Sequence, residues 1–136
     1  MPRFIDTNIL LYSISSANDE KRKRDIAVTL LAERDNALSV QVLQEFYVQA
    51  TRPSRSDALP HDVAVGLIHA WLRFPVQDMT IAVMSNALEI KTAFQLSYWD
   101  AAIVAAARAL DCGELLSEDM SHGQMIEGLK ILNPFR

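Results

Sequence analysis

The chain has 136 residues, of which 50% are apolar and 22% are charged. These proportions are typical of one globular domain and exclude a disordered chain, a collagen-like repeat and a disulfide scaffold. The formal net charge of −4 argues against a protein that holds nucleic acid mainly through a basic surface, but it leaves open an enzyme that acts on nucleic acid through carboxylate-bound metal.

The start of the chain and its single cysteine favour a cytoplasmic protein. No basic and then apolar signal segment opens the sequence, and Cys112 has no partner for an internal disulfide. The longest apolar stretch, residues 101–107, is much shorter than the roughly 20 residues that cross a bilayer. We therefore expect a single cytoplasmic domain over residues 1–136, without a membrane span.

Five short apolar runs recur along the chain and are predicted to be β-strands. Each run is too short and too apolar for a surface helix. The runs lie at residues 3–5, 37–40, 75–77, 114–116 and 130–132.

The segments between these runs repeat their apolar residues at the helical period of about 3.6. Helices that connect successive strands through right-handed crossovers make the strands parallel. The predicted fold is therefore α/β, a three-layer α/β/α arrangement around a central five-stranded parallel sheet. Residues 52–57 are predicted to form a surface loop, and residues 117–128 at most one helical turn before the last strand.

Acidic residues at strand ends are the first candidates for chemistry, because open α/β sheets bind ligands beyond the carboxyl ends of their strands. Asp6 and Asp119 follow the first and fourth predicted strands, although Asp is also a common turn and capping residue. Asp100 lies three residues after Ser97, which matches a helix-capping box. Periodicity alone places Glu45 on the solvated side of its helix.

Taken together, the four acids offer oxygen ligands that suit Mg²⁺ or Mn²⁺. The three histidines show no zinc spacing, and only four glycines are present, without a phosphate-binding or nucleophile-elbow motif. Cys112 is expected to be a buried apolar residue. The basic run 21–24 is typical of a solvated helix face; its alternative role is a phosphate contact, shared with Arg52 and Arg55.

An ordered set of segments resembles the PIN-domain family, and more closely its VapC-type branch, the ribonuclease toxins of bacterial toxin–antitoxin modules. The resemblance covers essentially the whole chain, and the order and spacing of four acids make it more specific than a single motif. Its segments are residues 4–8 (FIDTN), 44–46 (QEF), 98–103 (YWDAAI), 116–120 (LSEDM) and 133–135 (NPF).

The resemblance implies two sets of site residues. The acidic quartet, for catalysis and metal binding, matches Asp6, Glu45, Asp100 and Asp119. The supporting residues match Thr7, Asn8 and Ser117. Of the two adjacent acids, Asp119 is favoured over Glu118. For Glu45 the resemblance replaces the prediction from periodicity, which is a solvated side chain. A residue on the polar flank of its helix can still face the site if that flank lies over the strand ends.

The family resemblance implies an endoribonuclease that uses Mg²⁺, with Mn²⁺ as a substitute, and that is inhibited by a cognate antitoxin. It also implies a homodimer, for which Trp71, Phe74, Phe94 and Trp99 are candidate contacts unless they belong to the core. Two alternatives remain open: a metal-dependent DNA nuclease or phosphatase that uses the same acids, and a catalytically silent binding module.

Overall fold

A computed structural model describes residues 1–136 and contains one mixed sheet of six strands. The spatial order is β3-β2-β1-β4-β6-β5. Five strands run parallel, as the sequence predicted, and β5 pairs antiparallel with β6. The strands are β1 (Arg3–Ile5), β2 (Asn36–Ser39), β3 (Val76–Gln77), β4 (Glu114–Leu116), β5 (Met125–Ile126) and β6 (Leu129–Leu132).

The sixth strand corrects the predicted count of five and the prediction of at most one helical turn in residues 117–128. Strands β5 and β6 form a hairpin whose two turn residues, Glu127 and Gly128, have φ angles of 49° and 89°. Positive φ at both positions is the geometry of a type I′ turn, whose usual sequence signal is Asn-Gly or Asp-Gly. The hairpin was missed because β5 has only two residues and Glu-Gly is a weak form of that signal.

Six α-helices connect and cover the strands. The longer helices predicted between the strands are confirmed, whereas the helix Thr7–Ser13 lies outside that prediction because its seven residues are too few for a helical repeat. A short 3-10 helix, Asn18–Glu20, precedes α2. The α-helices are α1 (Thr7–Ser13), α2 (Lys21–Leu31), α3 (Val40–Ala50), α4 (His61–Trp71), α5 (Ile81–Phe94) and α6 (Tyr98–Ala109).

The core lies between the sheet and its helices, and α6 is its most buried helix. Seven consecutive residues of α6, 101–107, are buried, and five of them are alanines, which let α6 pack closely against the sheet and α5. Trp71 and Phe74 are buried in the core, so they are not surface contacts for a dimer. Phe94 is partly buried, whereas Trp99 is 61% exposed.

No helix in the structure combines the length and the apolar character that a membrane crossing requires.

Candidate functional site

The carboxyl ends of β1 and β4 meet because the two strands are parallel neighbours, with Ile5 in register with Leu116. The next residue on each strand is therefore beside the other: Asp6 follows β1 and Ser117 follows β4. The Asp6 amide donates to the Leu116 carbonyl at 3.0 Å, and the Ser117 hydroxyl donates to Asp6 Oδ2 at 2.7 Å. This contact places the buried Asp6 carboxylate at the carboxyl ends of the parallel strands.

Three consecutive residues at the start of α1 connect three of the candidate acids. Asp6 caps the helix and accepts a hydrogen bond from the Thr7 amide at 2.7 Å. The Thr7 hydroxyl donates to Glu45 Oε1 at 3.0 Å, which brings α3 to the site. The Asn8 side-chain amide lies 3.1 Å from Asp119 Oδ2 and 3.4 Å from Asp6 Oδ2. The Asp-Thr-Asn segment therefore holds Asp6, Glu45 and Asp119 in one place.

Asp100 reaches the site from the first turn of α6. The Ser97 hydroxyl accepts from the Asp100 amide at 3.2 Å, as the capping pattern predicted. The side-chain amide of Gln41 donates to the Trp99 carbonyl at 3.1 Å and lies 3.4 Å from Glu45 Oε1, so it ties α6 to α3. Asp100 forms no hydrogen bond with the other three acids, but it is close enough to Asp119 to feel its charge.

The site carries uncompensated negative charge. Burial raises the pKa of Asp6 to about 6; the hydrogen bonds from Ser117 and Thr7 oppose this rise, and the charges of Asp119 and Glu45 add to it. Burial, together with the charge of Asp119, also raises the pKa of Asp100. A cation nearby stabilises the charged form of both carboxyl groups. The cluster therefore favours binding a positively charged ligand.

The two adjacent acids after β4 point to different partners. The Glu118 carboxylate accepts hydrogen bonds from the Tyr12 hydroxyl and the Lys23 ammonium group. Although burial opposes it, these bonds lower the pKa of Glu118. Glu118 is therefore already neutralised by a lysine, whereas Asp119 faces Asn8 and the other acids. This geometry supports the preference for Asp119.

The donor atoms present fit Mg²⁺ or Mn²⁺, with Asp6 and Asp119 as the residues that would hold the ion. No group of three or more His, Cys, Asp or Glu side chains is arranged to enclose an ion directly. Mg²⁺ commonly binds through one or two carboxylates and keeps several waters, so a pair of acids bridged by Asn8 is sufficient. The acids are all hard oxygen donors, which disfavours zinc.

An open cavity of about 230 Å³ extends from Asp119 and Glu118 towards the loop after α3. Arg55 is its one basic residue, whereas Arg52 is exposed on the same loop and does not line it. The basic run 21–24 is partly used inside the molecule, because Arg22 also donates to the Phe135 carbonyl at 2.9 Å. The cavity is lined by Asn8, Leu11, Tyr12, Glu20, Arg55, Glu118 and Asp119.

Sequence reasoning missed several residues that organise the site. Gln41 lies four residues before Glu45, so the helical spacing that puts both side chains on one face could have identified it. Tyr12 and Asp57 carried no comparable signal, and the sequence marks Lys23 only as part of the basic run 21–24. Their contacts with Glu118 and Ser16 join residues far apart in the chain, and the tertiary structure brings them together.

The sequence matches the PIN domain over residues 3–124. The chain belongs to the PIN-domain family. PIN domains are nucleases, and PIN nucleases generally use divalent metal ions. The match extends from β1 to the turn before β5, so it includes all four acids.

Solved structures of PIN toxins share the fold. A toxin–antitoxin complex from Klebsiella pneumoniae is 21% identical with a TM-score of 0.71, covering 97% of each chain. VapC20 from Mycobacterium tuberculosis, a toxin that cleaves the sarcin-ricin loop, is 19% identical with a TM-score of 0.66, covering 83% of this chain and 86% of that one. VapBC2 from Rickettsia felis, bound to promoter DNA, is 18% identical with a TM-score of 0.65, covering 96% and 97%. Curated protein sequences contain no significant match.

Proposed function

We propose that this PIN domain is a Mg²⁺- or Mn²⁺-dependent endoribonuclease that acts as the toxin of a toxin–antitoxin module. The observation that carries the proposal is the cluster of Asp6, Glu45 and Asp119, joined by the first residues of α1, with Asp100 beside it. VapC20, which shares the fold, cleaves the sarcin-ricin loop of RNA. The acids that the ends of β1 and β4 bring together support ribonuclease chemistry here.

The roles of the residues follow from their contacts. Asp6 and Asp119 would hold the metal ion, and Ser117 and Asn8 fix the orientation of their carboxylates. A bound divalent ion supplies charge stabilisation at the phosphoryl oxygens and acidifies water. Asp100 is partly buried with a raised pKa, which suits a group that orients the attacking water and accepts its proton. Glu45 adds negative charge beside Asp6 and is itself held by Thr7.

Asp6→Asn tests the proposal, because asparagine caps a helix as well as aspartate does but cannot serve as an anionic ligand. The purified protein is offered structured RNA, DNA and small phosphate esters with Mg²⁺, Mn²⁺ or chelator. We expect metal-dependent cleavage of RNA alone, and its loss in Asp6→Asn but not in Asp25→Asn, which changes an exposed acid on α2. Cleavage of DNA or of esters would support the alternative enzymes, and an inactive wild-type protein that still binds RNA would support a binding module.

We propose that a cognate antitoxin inhibits the enzyme by placing an Arg or Lys side chain among the acids. An uncovered cluster of carboxylates attracts such a cation, which would exclude metal and substrate together. Because RNA substrate and antitoxin are cytoplasmic in such modules, we place the activity in the cytoplasm. Co-purification with the product of the neighbouring gene should give a complex without bound metal; a complex that cleaves RNA at the full rate of the free protein would contradict this.

The exposed face of α5 supports the homodimer. Ile81, Met84 and Leu88 lie on one side of that helix, and Ile81 and Leu88 are 80% and 51% exposed. A row of large apolar side chains in water is typical of a protein interface. Sedimentation should show a dimer that Leu88→Glu converts to a monomer. A wild-type protein that is monomeric at tens of micromolar would contradict the proposed homodimer.

A further inference from the structure

The cavity beside the acids presents an electrostatic problem for an RNA substrate. Glu20, Glu118 and Asp119 line it, and a phosphate entering it is repelled by these carboxylates. Glu118 is neutralised by Lys23, but that ammonium group is occupied by the same contact. Arg55 is the one basic side chain on the cavity wall. An anionic substrate in this cavity therefore has one cation available to it.

Arg55 is held in place from behind by an acid of its own loop. Its Nε lies 2.8 Å from Asp57 Oδ1, and both side chains are mostly buried. The contact is ionic, since Arg55 Nε has no aligned hydrogen-bond acceptor. Asp57 Oδ2 in turn accepts hydrogen bonds at 3.0 Å from the amide and the hydroxyl of Ser16. The loop after α1 thus anchors Asp57, and Asp57 anchors Arg55.

The far end of the guanidinium group is unused. Neither terminal nitrogen of Arg55 forms a hydrogen bond, and the single ion pair of the residue is made through Nε. The terminal N–H groups of arginine form a planar fork that matches two phosphate oxygens. Arg52 differs from Arg55 because it is exposed, lies off the cavity and has no anchoring acid.

We propose that Arg55 binds a backbone phosphate of the RNA adjacent to the cleaved bond, with Asp57 and Ser16 as positioning residues. This inference rests on the proposed ribonuclease function and assigns one specific substrate contact to it. Arg55 offsets the repulsion from the cavity acids and fixes the path of the RNA strand from the acids towards the 52–57 loop. Since the contact is to phosphate, it is independent of base sequence.

Binding of fluorescein-labelled single-stranded RNA, measured by anisotropy in chelator over a range of salt concentrations, tests the contact without turnover. Arg55→Gln keeps the polarity and most of the length of the side chain, and Arg52→Gln is its matched control. We expect Arg55→Gln to weaken binding about tenfold, which corresponds to roughly 1.4 kcal/mol, and to reduce the slope of log K against log salt by about 0.7. Arg52→Gln should change neither quantity, and Arg55→Lys should restore the slope.

Cleavage assays on the same variants separate the two proposals. A wild-type protein that neither binds nor cleaves RNA would remove the ribonuclease proposal itself. A wild-type protein that cleaves RNA, with Arg55→Gln and Arg52→Gln equal in affinity and salt slope, would overturn the role of Arg55 alone. If Arg55→Gln fails to fold, the RNA affinity of Arg55→Lys is compared with that of Arg52→Lys. Equal affinities would overturn the contact between the Arg55 guanidinium group and the phosphate.

Asp57→Asn tests the anchoring step. The amide oxygen can still accept from Ser16, but the charge that holds Arg55 is lost. We expect KM for RNA to rise several-fold while kcat stays close to wild type. An unchanged KM would show that Asp57 does not position Arg55.

Discussion

Asp6 has two roles that favour different protonation states. As the cap of α1 it accepts from the Thr7 amide, and this bond favours the charged form. As a residue that is 4% exposed and close to Asp119 and Glu45, it is more stable when neutral. The second effect is larger, so the metal-free protein is destabilised by the charge that the proposed function needs.

This balance predicts the pH dependence of stability. The pKa of Asp6 is about 6 in the folded protein against its usual 3.8, so the folded state binds this proton more tightly. The free energy of unfolding should therefore decrease as pH rises from about 4 to about 6, by on the order of 3 kcal/mol, and this loss should persist at higher pH. Urea unfolding in chelator measures it. Asp6→Asn should abolish this decrease in the free energy of unfolding, whereas Asp25→Asn should keep it. The same pH dependence of stability in the wild-type protein and both variants would contradict the argument.

The adjacent acids Glu118 and Asp119 should respond differently to neutralisation. Asp119→Asn removes a free carboxylate of the site, so we expect RNA cleavage to be lost with little change in stability. Glu118→Gln weakens the contacts with Lys23 and Tyr12, which are partly exposed, so it should cost roughly 0.5–1 kcal/mol and leave cleavage measurable. Single-turnover cleavage and thermal melting of both variants test this assignment. If Glu118→Gln were inactive and Asp119→Asn active, Glu118 would be the acid of the site.

The ends of helices and strands explain why the site forms where it does. Ser39, Thr80 and Ser97 each cap a helix by accepting from the amide three residues later. These caps fix where α3 and α6 begin, and hence where Glu45 and Asp100 project. The five parallel strands were predictable because each is a short apolar run between helical repeats. The β5–β6 hairpin was not, since β5 has only two residues and its Glu-Gly turn is a weak sequence signal.

The end of α5 offers a test of local backbone strain. Gln95 terminates this helix in the left-handed conformation, with φ at 56°, and its side chain is exposed. Glycine adopts this conformation without the Cβ clash that other residues suffer. Gln95→Gly should therefore raise the free energy of unfolding by roughly 0.5–1 kcal/mol and leave RNA cleavage unchanged. Urea unfolding checks this, with Gln95→Ala as the control; equal stability of the two variants would mean that α5 ends without strain.

For the protein as a whole, metal binding should appear as stabilisation. An ion that binds the folded state and not the unfolded chain raises the free energy of unfolding, by about 2.7 kcal/mol at a hundredfold excess over Kd. We expect millimolar Mn²⁺ or Mg²⁺ to raise the melting temperature of the wild-type protein by several degrees and to have little effect on Asp6→Asn, while Zn²⁺ supports no cleavage. An unchanged melting curve in Mn²⁺, with cleavage that survives chelator, would contradict the metal site.

The α/β class, the five parallel strands and the longer helices are predictable from the sequence, because hydrophobic period and capping residues are local properties. The four acids are proposed from an ordered resemblance, and the structure gives Glu45 a contact with Thr7 that periodicity did not predict. Which side chains meet depends on the tertiary structure: Thr7 contacts Glu45, Glu118 contacts Lys23, and Asp57 contacts Ser16. These contacts depend on strand register and on helices that are distant in the chain, which no local pattern encodes.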